Sequence, residues 1–386
     1  MRLYRLFCIA ALGLCAACAT TPSARRTDVL FWNQSQRETH FRAMETQYAS
    51  NRIAHGTNVH ALPAGAPLLP RWNDGTTLDS YMSDHHVAGI MVLQDGKVRL
   101  ERYGLGFGPT QHWTSFSVAK SFTSTLVGAA LRDGSIHDLD DPVTRYIPAL
   151  SDSGYRDVTV RQLLTMTSGV RWNEDYVDPN SDVAQMYEGA RVPGTPLLVS
   201  YMAKLPSESK PGTRWVYKTG ETDLIGILVT RATGRTLAAY LSEKIWKPYG
   251  MAQDAIWLKD PVDGTEAGGS GVSATLSDYA RMGQFLLDGG VANGKPVLAD
   301  GWLADATRKH ADIGAPGRGY GYQWWTFDGG RYAGLGIFGQ VLYLDPSRHL
   351  AIVQLAAWPV ATDSAQTRAR QAFIDAVTAA VDGGVK

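Results

Sequence analysis

The chain has 386 residues, 44% of them hydrophobic, which is ample for a core spread over two domains or one large composite domain. Lys plus Arg and Asp plus Glu number 37 each, so the net charge is zero, and the lack of any basic run argues against DNA or RNA as a partner. The 11 Trp and 10% aromatic content fit core packing around an aromatic-lined cleft.

Arg2 and Arg5 precede the apolar run Leu6–Leu14. That run is shorter than the roughly 20 helical residues that span a bilayer, so 1–17 reads as a signal peptide. Leu14-Cys15-Ala16-Ala17-Cys18 looks like a bacterial lipobox, although Cys15 stands where an aliphatic residue is usual. The expectation is that Cys18 is lipidated and tethers the protein to a membrane, facing the periplasm; ordinary cleavage to a soluble periplasmic protein is the alternative. Residues 18–75 read as tether and lead-in. All three cysteines lie at or before Cys18, which leaves the body without disulfide or thiol chemistry.

From Val87 the pattern changes. Val87–Gln94 is a strand-like apolar run, Asp95-Gly96 a two-residue hairpin turn, and 97–103 the returning strand. Helices are predicted over 116–131, over 160–166 behind Thr159, over 223–233 closed by Gly234, over 276–287 with Ser277-Asp278 as cap, and over 365–381. Two strands, 339–345 and 350–357, flank Pro346-Ser347-Arg348. Strands at both ends and helices between them predict an α/β (α+β) fold. Its antiparallel sheet is flanked by helices and drawn from 76–155 and 300–386, and a mainly helical domain, 156–299, is inserted.

Ser117-Val-Ala-Lys120 is the feature that carries chemistry. Positions i and i+3 share a helix face, so the Lys120 ammonium can reach the Ser117 hydroxyl. Partial burial would lower the lysine pKa until it accepts a proton. A nucleophile at a helix start also has a free N–H for an oxyanion. The plain alternative is a helix cap beside a solvated lysine. A second match, Ser207-Glu-Ser-Lys210, sits in a polar stretch before Pro211-Gly212 with no helix behind it and reads as chance.

The flanking segments carry a resemblance. Phe116–Phe122, Val158–Gly169, Pro211–Gly220, Gly268–Ala274 and Gly319–Trp324 occur in order and at the right spacing. Over roughly 80–375 the chain resembles the superfamily of serine β-lactamases, penicillin-binding proteins and family VIII carboxylesterases. Phe31-Trp-Asn-Gln34, Glu174–Ser181 and Gly334–Gln340 are similar to its 6-aminohexanoate-dimer hydrolase subgroup.

The resemblance implies a β-lactamase/transpeptidase-like fold and a serine hydrolase cleaving an ester or a linear amide, without cofactor or metal. It assigns Tyr217 as the residue that takes the Ser117 proton and returns it to the leaving group. Beside Lys120 its phenolate would be favoured; the bland reading is a packed, hydrogen-bonded tyrosine. Thr219 stands where the β-lactamases usually have Asn, and Tyr176 matches a tyrosine lying over the substrate amide. Tyr187 falls near the place for an acid suited to an amino-terminal substrate. Gly334-Leu335-Gly336 replaces Lys-Thr-Gly, so the cation that receives an antibiotic carboxylate is missing. The strand backbone remains, and the N–H of Ile337 after Gly336 can complete an oxyanion hole with that of Ser117; otherwise the glycines are only a strand kink.

Other chemistries fit poorly. No Gly-x-Ser-x-Gly run supports an α/β-hydrolase. The nine His are scattered, and His85-His86 lacks metal-ligand spacing and reads as a polar loop. A D,D-peptidase or β-lactamase, or a non-catalytic envelope lipoprotein of the same fold, is the rival reading. A pure binder has no need of Ser117, Lys120 and Tyr217 together.

Overall fold

The structure, a computed structural model, describes residues 26–383. Cys18 and the expected signal peptide lie outside the described residues.

The lead-in is folded from Arg26 on. It contributes α1 (Gln34–His40), β1 (Ser50–Ile53) and α2 (Leu78–Asp84). Asn33 and Gln36 cap α1 reciprocally, and Phe41 and Ile53 are fully buried. These residues belong to the body rather than to a tether, because their apolar side chains enter the main core.

β2 (Val87–Gln94) and β3 (Lys97–Tyr103) form the expected hairpin. Asp95 and Gly96 both take positive φ, 51° and 72°, as a tight primed turn requires. β4 (Trp113–Thr114) leads into α3 (Val118–Arg132). The inserted region holds α4 (Val160–Leu164), α5 (Asp182–Gln185), α6 (Leu197–Met202), α7 (Thr219–Thr233) and α8 (Leu237–Leu241). Then follow β5 (Ala255–Leu258), β6 (Val272–Ala274), α9 (Leu276–Leu287) and the small hairpin β7 (Val291–Ala292) and β8 (Lys295–Pro296). The chain ends with α10 (Trp302–Ala306), β9 (Arg318–Tyr320), β10 (Trp325–Phe327), β11 (Arg331–Gly336), β12 (Gln340–Asp345), β13 (Leu350–Ala356) and α11 (Ser364–Gly383).

The main sheet runs β3-β2-β13-β12-β11-β10-β9, antiparallel throughout, so it joins strands from both ends of the chain. Its faces follow from the period of two. Leu342, Leu344 and Ala351 meet Gly283 of α9 on one face, and Gly334 meets α3 on that same face. Gln354 points the other way, where the Tyr81 hydroxyl donates to it (2.6 Å) and Tyr81 stacks on Phe373 of α11. Besides its helices, the inserted region supplies β5 and β6 to a second sheet, β1-β5-β6-β4, which ties the lead-in to the strand before Ser117.

Two helix starts differ from expectation. Thr275, not Ser277-Asp278, caps α9 and accepts from Asp278 N–H. α7 begins at Thr219 rather than 223, because the Glu174 carboxylate, 45 residues away in sequence, accepts the Thr219 N–H (2.9 Å) and satisfies a donor that a helix start leaves open.

Candidate active site

Ser117 is the residue before α3 and is largely buried. Phe116 ahead of it has φ +42°, a left-handed conformation that is strained for a bulky residue. That turn swings the chain from β4 into α3 and leaves Ser117 at the helix start. Phe41 and Phe338 pack on the Phe116 ring, at centroid distances of 4.9 and 5.3 Å, and hold it there.

One turn on, Lys120 is buried, with Nζ donating to Ser117 Oγ (3.0 Å), Thr219 Oγ1 (3.0 Å) and the Gly269 carbonyl (2.8 Å). All three ammonium donors are used, yet none goes to a carboxylate. Burial therefore dominates and pushes the Lys120 pKa down to about 8, against the opposing charges of Glu174 and Asp223.

Tyr217 hydrogen-bonds Ser117, while Lys120 Nζ lies 5.1 Å from its ring centroid, over the face. Burial and the Glu174 charge both push the Tyr217 pKa upward, and the bond to Ser117 only partly offsets them. The phenolate expected beside Lys120 is thus disfavoured: the lysine charge meets the ring, and the nearest influential anion is Glu174. In the resting site Tyr217 is a proton donor. Its ring stacks on Trp325 (5.5 Å) and meets Tyr320 edge-on (6.1 Å), which fixes it without using the hydroxyl.

Thr219 joins the site from the start of α7. It accepts from Lys120, and its hydroxyl donates to Glu174. Tyr176 is half-buried, and its hydroxyl also donates to Glu174 (2.8 Å). Trp172 completes the ring of donors around that carboxylate. Glu174 was quoted in the sequence only as part of a matching segment. One local signal, the Trp172-x-Glu174-x-Tyr176 alternation that sends all three side chains to one side, could have singled it out. Asp223 had no such signal. It is fully buried, accepts from Gly269 N (2.7 Å) and so fixes the carbonyl that receives Lys120. Tyr187 donates its hydroxyl to the same Asp223 (2.5 Å). The acid expected near Tyr187 thus lies behind it, on α7.

Gly334 and Gly336 are extended strand, not a kink: neither has positive φ. Close approach explains them. A Cβ on Gly334 would stand 3.0 Å from Ser121 Oγ and 3.3 Å from Val118 Cγ1 of α3, and one on Gly336 would stand 2.6 Å from the Ser115 carbonyl. The missing side chains let β11 press against the nucleophile turn, which sets Ile337 beside Ser117. Among the described residues no turn, loop or cap bond occupies the N–H of Ser117 or of Ile337.

Two cavities meet at Ser117, Tyr176 and Ile337. The narrower, about 60 Å³, is lined by apolar groups such as Val29, Leu30, Met44 and Met186, with Tyr187, and holds no charged side chain. The wider, about 360 Å³, holds Tyr217, Glu174, Arg318 and Arg370. Elsewhere, Ser207 and Lys210 are exposed in a loop, and the Ser207 hydroxyl reaches only the Ser209 carbonyl. His85 bonds Gln366 (2.7 Å) and His86 bonds Glu38 (2.9 Å). Among the described residues no three His, Cys, Asp or Glu are grouped to hold a metal ion.

Known proteins share this arrangement of elements. A 6-aminohexanoate-dimer hydrolase of Paenarthrobacter ureafaciens is 35% identical over 298 residues, covering 73% of this chain and 75% of its own length. Esterase EstB of Burkholderia gladioli is 26% identical over 303 residues, covering 62% and 75%. The solved structure of a candidate 6-aminohexanoate-dimer hydrolase from Bacillus anthracis superposes with a TM-score of 0.78 at 24% identity, over 89% of this chain and 94% of that one. The model of the Beta-lactamase family matches residues 76–376. With its antiparallel sheet, flanking helices and hydrolase relatives, the chain belongs to the Beta-lactamase family and is a hydrolase of that fold.

Proposed function

We propose that this hydrolase cleaves a carboxylic ester or a linear amide through an acyl-enzyme on Ser117. The observation that carries the reading is the buried Lys120 amine 3.0 Å from Ser117 Oγ, with its pKa pushed down to about 8. With that value about a tenth of the lysine is unprotonated at pH 7. That fraction takes the Ser117 proton as Oγ attacks the substrate carbonyl. The N–H groups of Ser117 and Ile337 receive the oxyanion. Tyr217, held as a neutral phenol, gives its proton to the leaving alcohol or amine and regains one from Lys120. A water then attacks the acyl carbon, its proton passes to the Tyr217–Lys120 unit, and Ser117 is restored.

Gly334 leaves no cation on β11 for an antibiotic carboxylate, and its close contact with Ser121 leaves no room for one. The reading is therefore esterase or amidase rather than β-lactamase. The nylon-oligomer activity named for the Paenarthrobacter relative is a weaker match, because the narrower cavity presents Tyr187 and apolar groups instead of an exposed acid. We place the protein at the bacterial envelope, tethered through a lipid on Cys18, on the strength of the lipobox-like Ala16-Ala17-Cys18 alone.

The experiment is fluorophosphonate labelling with intact mass analysis, followed by turnover of p-nitrophenyl butyrate, nitrocefin, a D-Ala-D-Ala peptide and a linear amide dimer. One label per chain, lost in Ser117→Ala, with the ester or the amide dimer cleaved faster than nitrocefin, is expected. No labelling, or labelling that survives Ser117→Ala, overturns the reading.

A further inference from the structure

Two guanidinium groups enter the wider cavity beside Ser117, Arg318 from the start of β9 and Arg370 from α11. Arg370 is only 9% exposed. Its guanidinium lies 5.2 Å from the Trp358 ring centroid, and that of Arg318 lies 5.2 Å from Phe327. Among the described residues neither side chain has a hydrogen bond or a carboxylate partner, and Arg318 Nε is buried with nothing to donate to. The two cations also act on each other. Burial and the Arg318 charge push the Arg370 pKa down to about 10, and only the Tyr81 phenol opposes them.

Buried charges are ordinarily paired, and two unpaired like charges in one cavity are costly. The one anion of the cavity, Glu174, is already engaged by Trp172, Tyr176 and Thr219. A planar guanidinium matches a carboxylate with two parallel donors. The vacant partner is thus a carboxylate that arrives from outside.

We propose that Arg318 and Arg370 bind a carboxylate on the leaving-group side of the substrate, so that the enzyme releases an amino acid or a hydroxy acid from a short apolar acyl group. The side follows from Tyr217, the proton donor to the leaving group, which lines the wider cavity and not the narrower one. The narrower cavity, with no charge, takes the acyl group. This assignment rests on the hydrolytic reading above. In the reaction the Ser117 Oγ–carbon bond forms and the carbon–oxygen or carbon–nitrogen bond breaks. The serine proton reaches the leaving atom through Lys120 and Tyr217, and water releases the carboxylic acid. The pair stands on β9 and α11, so it is a different site from the empty cation position at Gly334 on β11.

The test is steady-state kinetics of the full chain on a matched pair, 3-butyryloxy-4-nitrobenzoate and its methyl ester. Both release a coloured phenol, and only the first carries a carboxylate on the leaving group. The expected result is a kcat/KM at least about tenfold higher for the acid, expressed mainly in KM, as one charge-assisted hydrogen bond supplies. In Arg370→Met and Arg318→Met that preference falls toward one, and Arg370→Lys retains part of it. A measurement without variants runs alongside: 3-hydroxy-4-nitrobenzoate should inhibit the wild-type chain competitively, at concentrations where its methyl ester does not. Equal turnover of acid and ester by the wild type, or a preference that survives both substitutions, overturns the proposal and leaves the hydrolytic reading intact. Turnover of neither compound, with no fluorophosphonate labelling, overturns the hydrolytic reading and this proposal with it.

Discussion

Phe41 meets Phe116 edge-on, with ring centroids 4.9 Å apart and planes at 76°, directly beneath the left-handed turn that presents Ser117. The Phe41 carbonyl also accepts the Thr114 N–H (2.9 Å). The lead-in therefore braces the nucleophile. A left-handed bulky residue costs on the order of 1–3 kcal/mol and persists only where its surroundings hold it.

Phe41→Ala should destabilise the fold by about 3–5 kcal/mol, the usual cost of emptying a buried phenylalanine site. Turnover of the remaining folded protein should fall as well, because Phe116 loses its brace. Urea denaturation and kcat on p-nitrophenyl butyrate check both, and Phe41→Leu should lose less. Native stability in Phe41→Ala would remove the bracing role.

Ser117, Lys120 and Tyr217 should behave as one unit. Ser117→Ala abolishes acylation, and Lys120→Ala follows it closely. Tyr217→Phe keeps the ring packed on Trp325 and Tyr320, so folding is spared while turnover drops by several decades, on the order of 10³ or more. Ser207→Ala and Lys210→Ala, in the exposed second match, should be nearly silent. Ester turnover with circular dichroism on the five variants decides it; activity in Ser117→Ala, or its loss in Ser207→Ala, would show that the site is elsewhere.

The pH profile follows from Lys120. The amine is the active form, so kcat/KM should rise about tenfold per pH unit below about 8 and level off above it. Glu174 holds the proton on, so Glu174→Gln should move the inflection to lower pH. The stability sign is separate. The folded pKa lies below the ordinary 10.5, so the unfolded chain binds the extra proton, and the Lys120 contribution to stability rises with pH between about 8 and 10.5. A flat kcat/KM between pH 6 and 9 would contradict the lysine as base.

Behind Tyr217, Lys218 and Glu221 form a fully buried ion pair (3.6 Å), and Ser168 and Tyr155 also donate to Glu221. Burial pushes the Glu221 pKa up, against the Lys218 charge. Glu221→Ala strands a buried ammonium and should cost about 3–5 kcal/mol. The double replacement Lys218→Met with Glu221→Leu should recover much of that loss in a urea melt, since it removes both charges. A double variant no more stable than the single one would argue that the pair itself is net stabilising.

Cys18→Ser should release the protein from the membrane fraction if the lipid on Cys18 is its tether. Fractionation of cells expressing either form, with mass analysis of the mature N-terminus, reads this out. Unchanged processing and membrane retention in the variant would count against the lipobox.

What the sequence determined by itself was local. The β2–β3 hairpin follows from alternation and Asp95-Gly96, the end of α7 from Gly234, and the Ser117–Lys120 pairing from i,i+3 spacing on α3. Each of these depends on neighbours within a few residues. Ordered family-like segments extended that reading to the antiparallel sheet shared by both ends of the chain. Tertiary structure decided everything set by groups far apart in sequence. Glu174 starts α7 four residues early and keeps Tyr217 protonated; Asp223 aims the Gly269 carbonyl at Lys120; Phe41 braces Phe116; Arg318 and Arg370 meet in one cavity. Burial and charge act through space, so the protonation states of Lys120 and Tyr217 exist only once distant segments have closed around them.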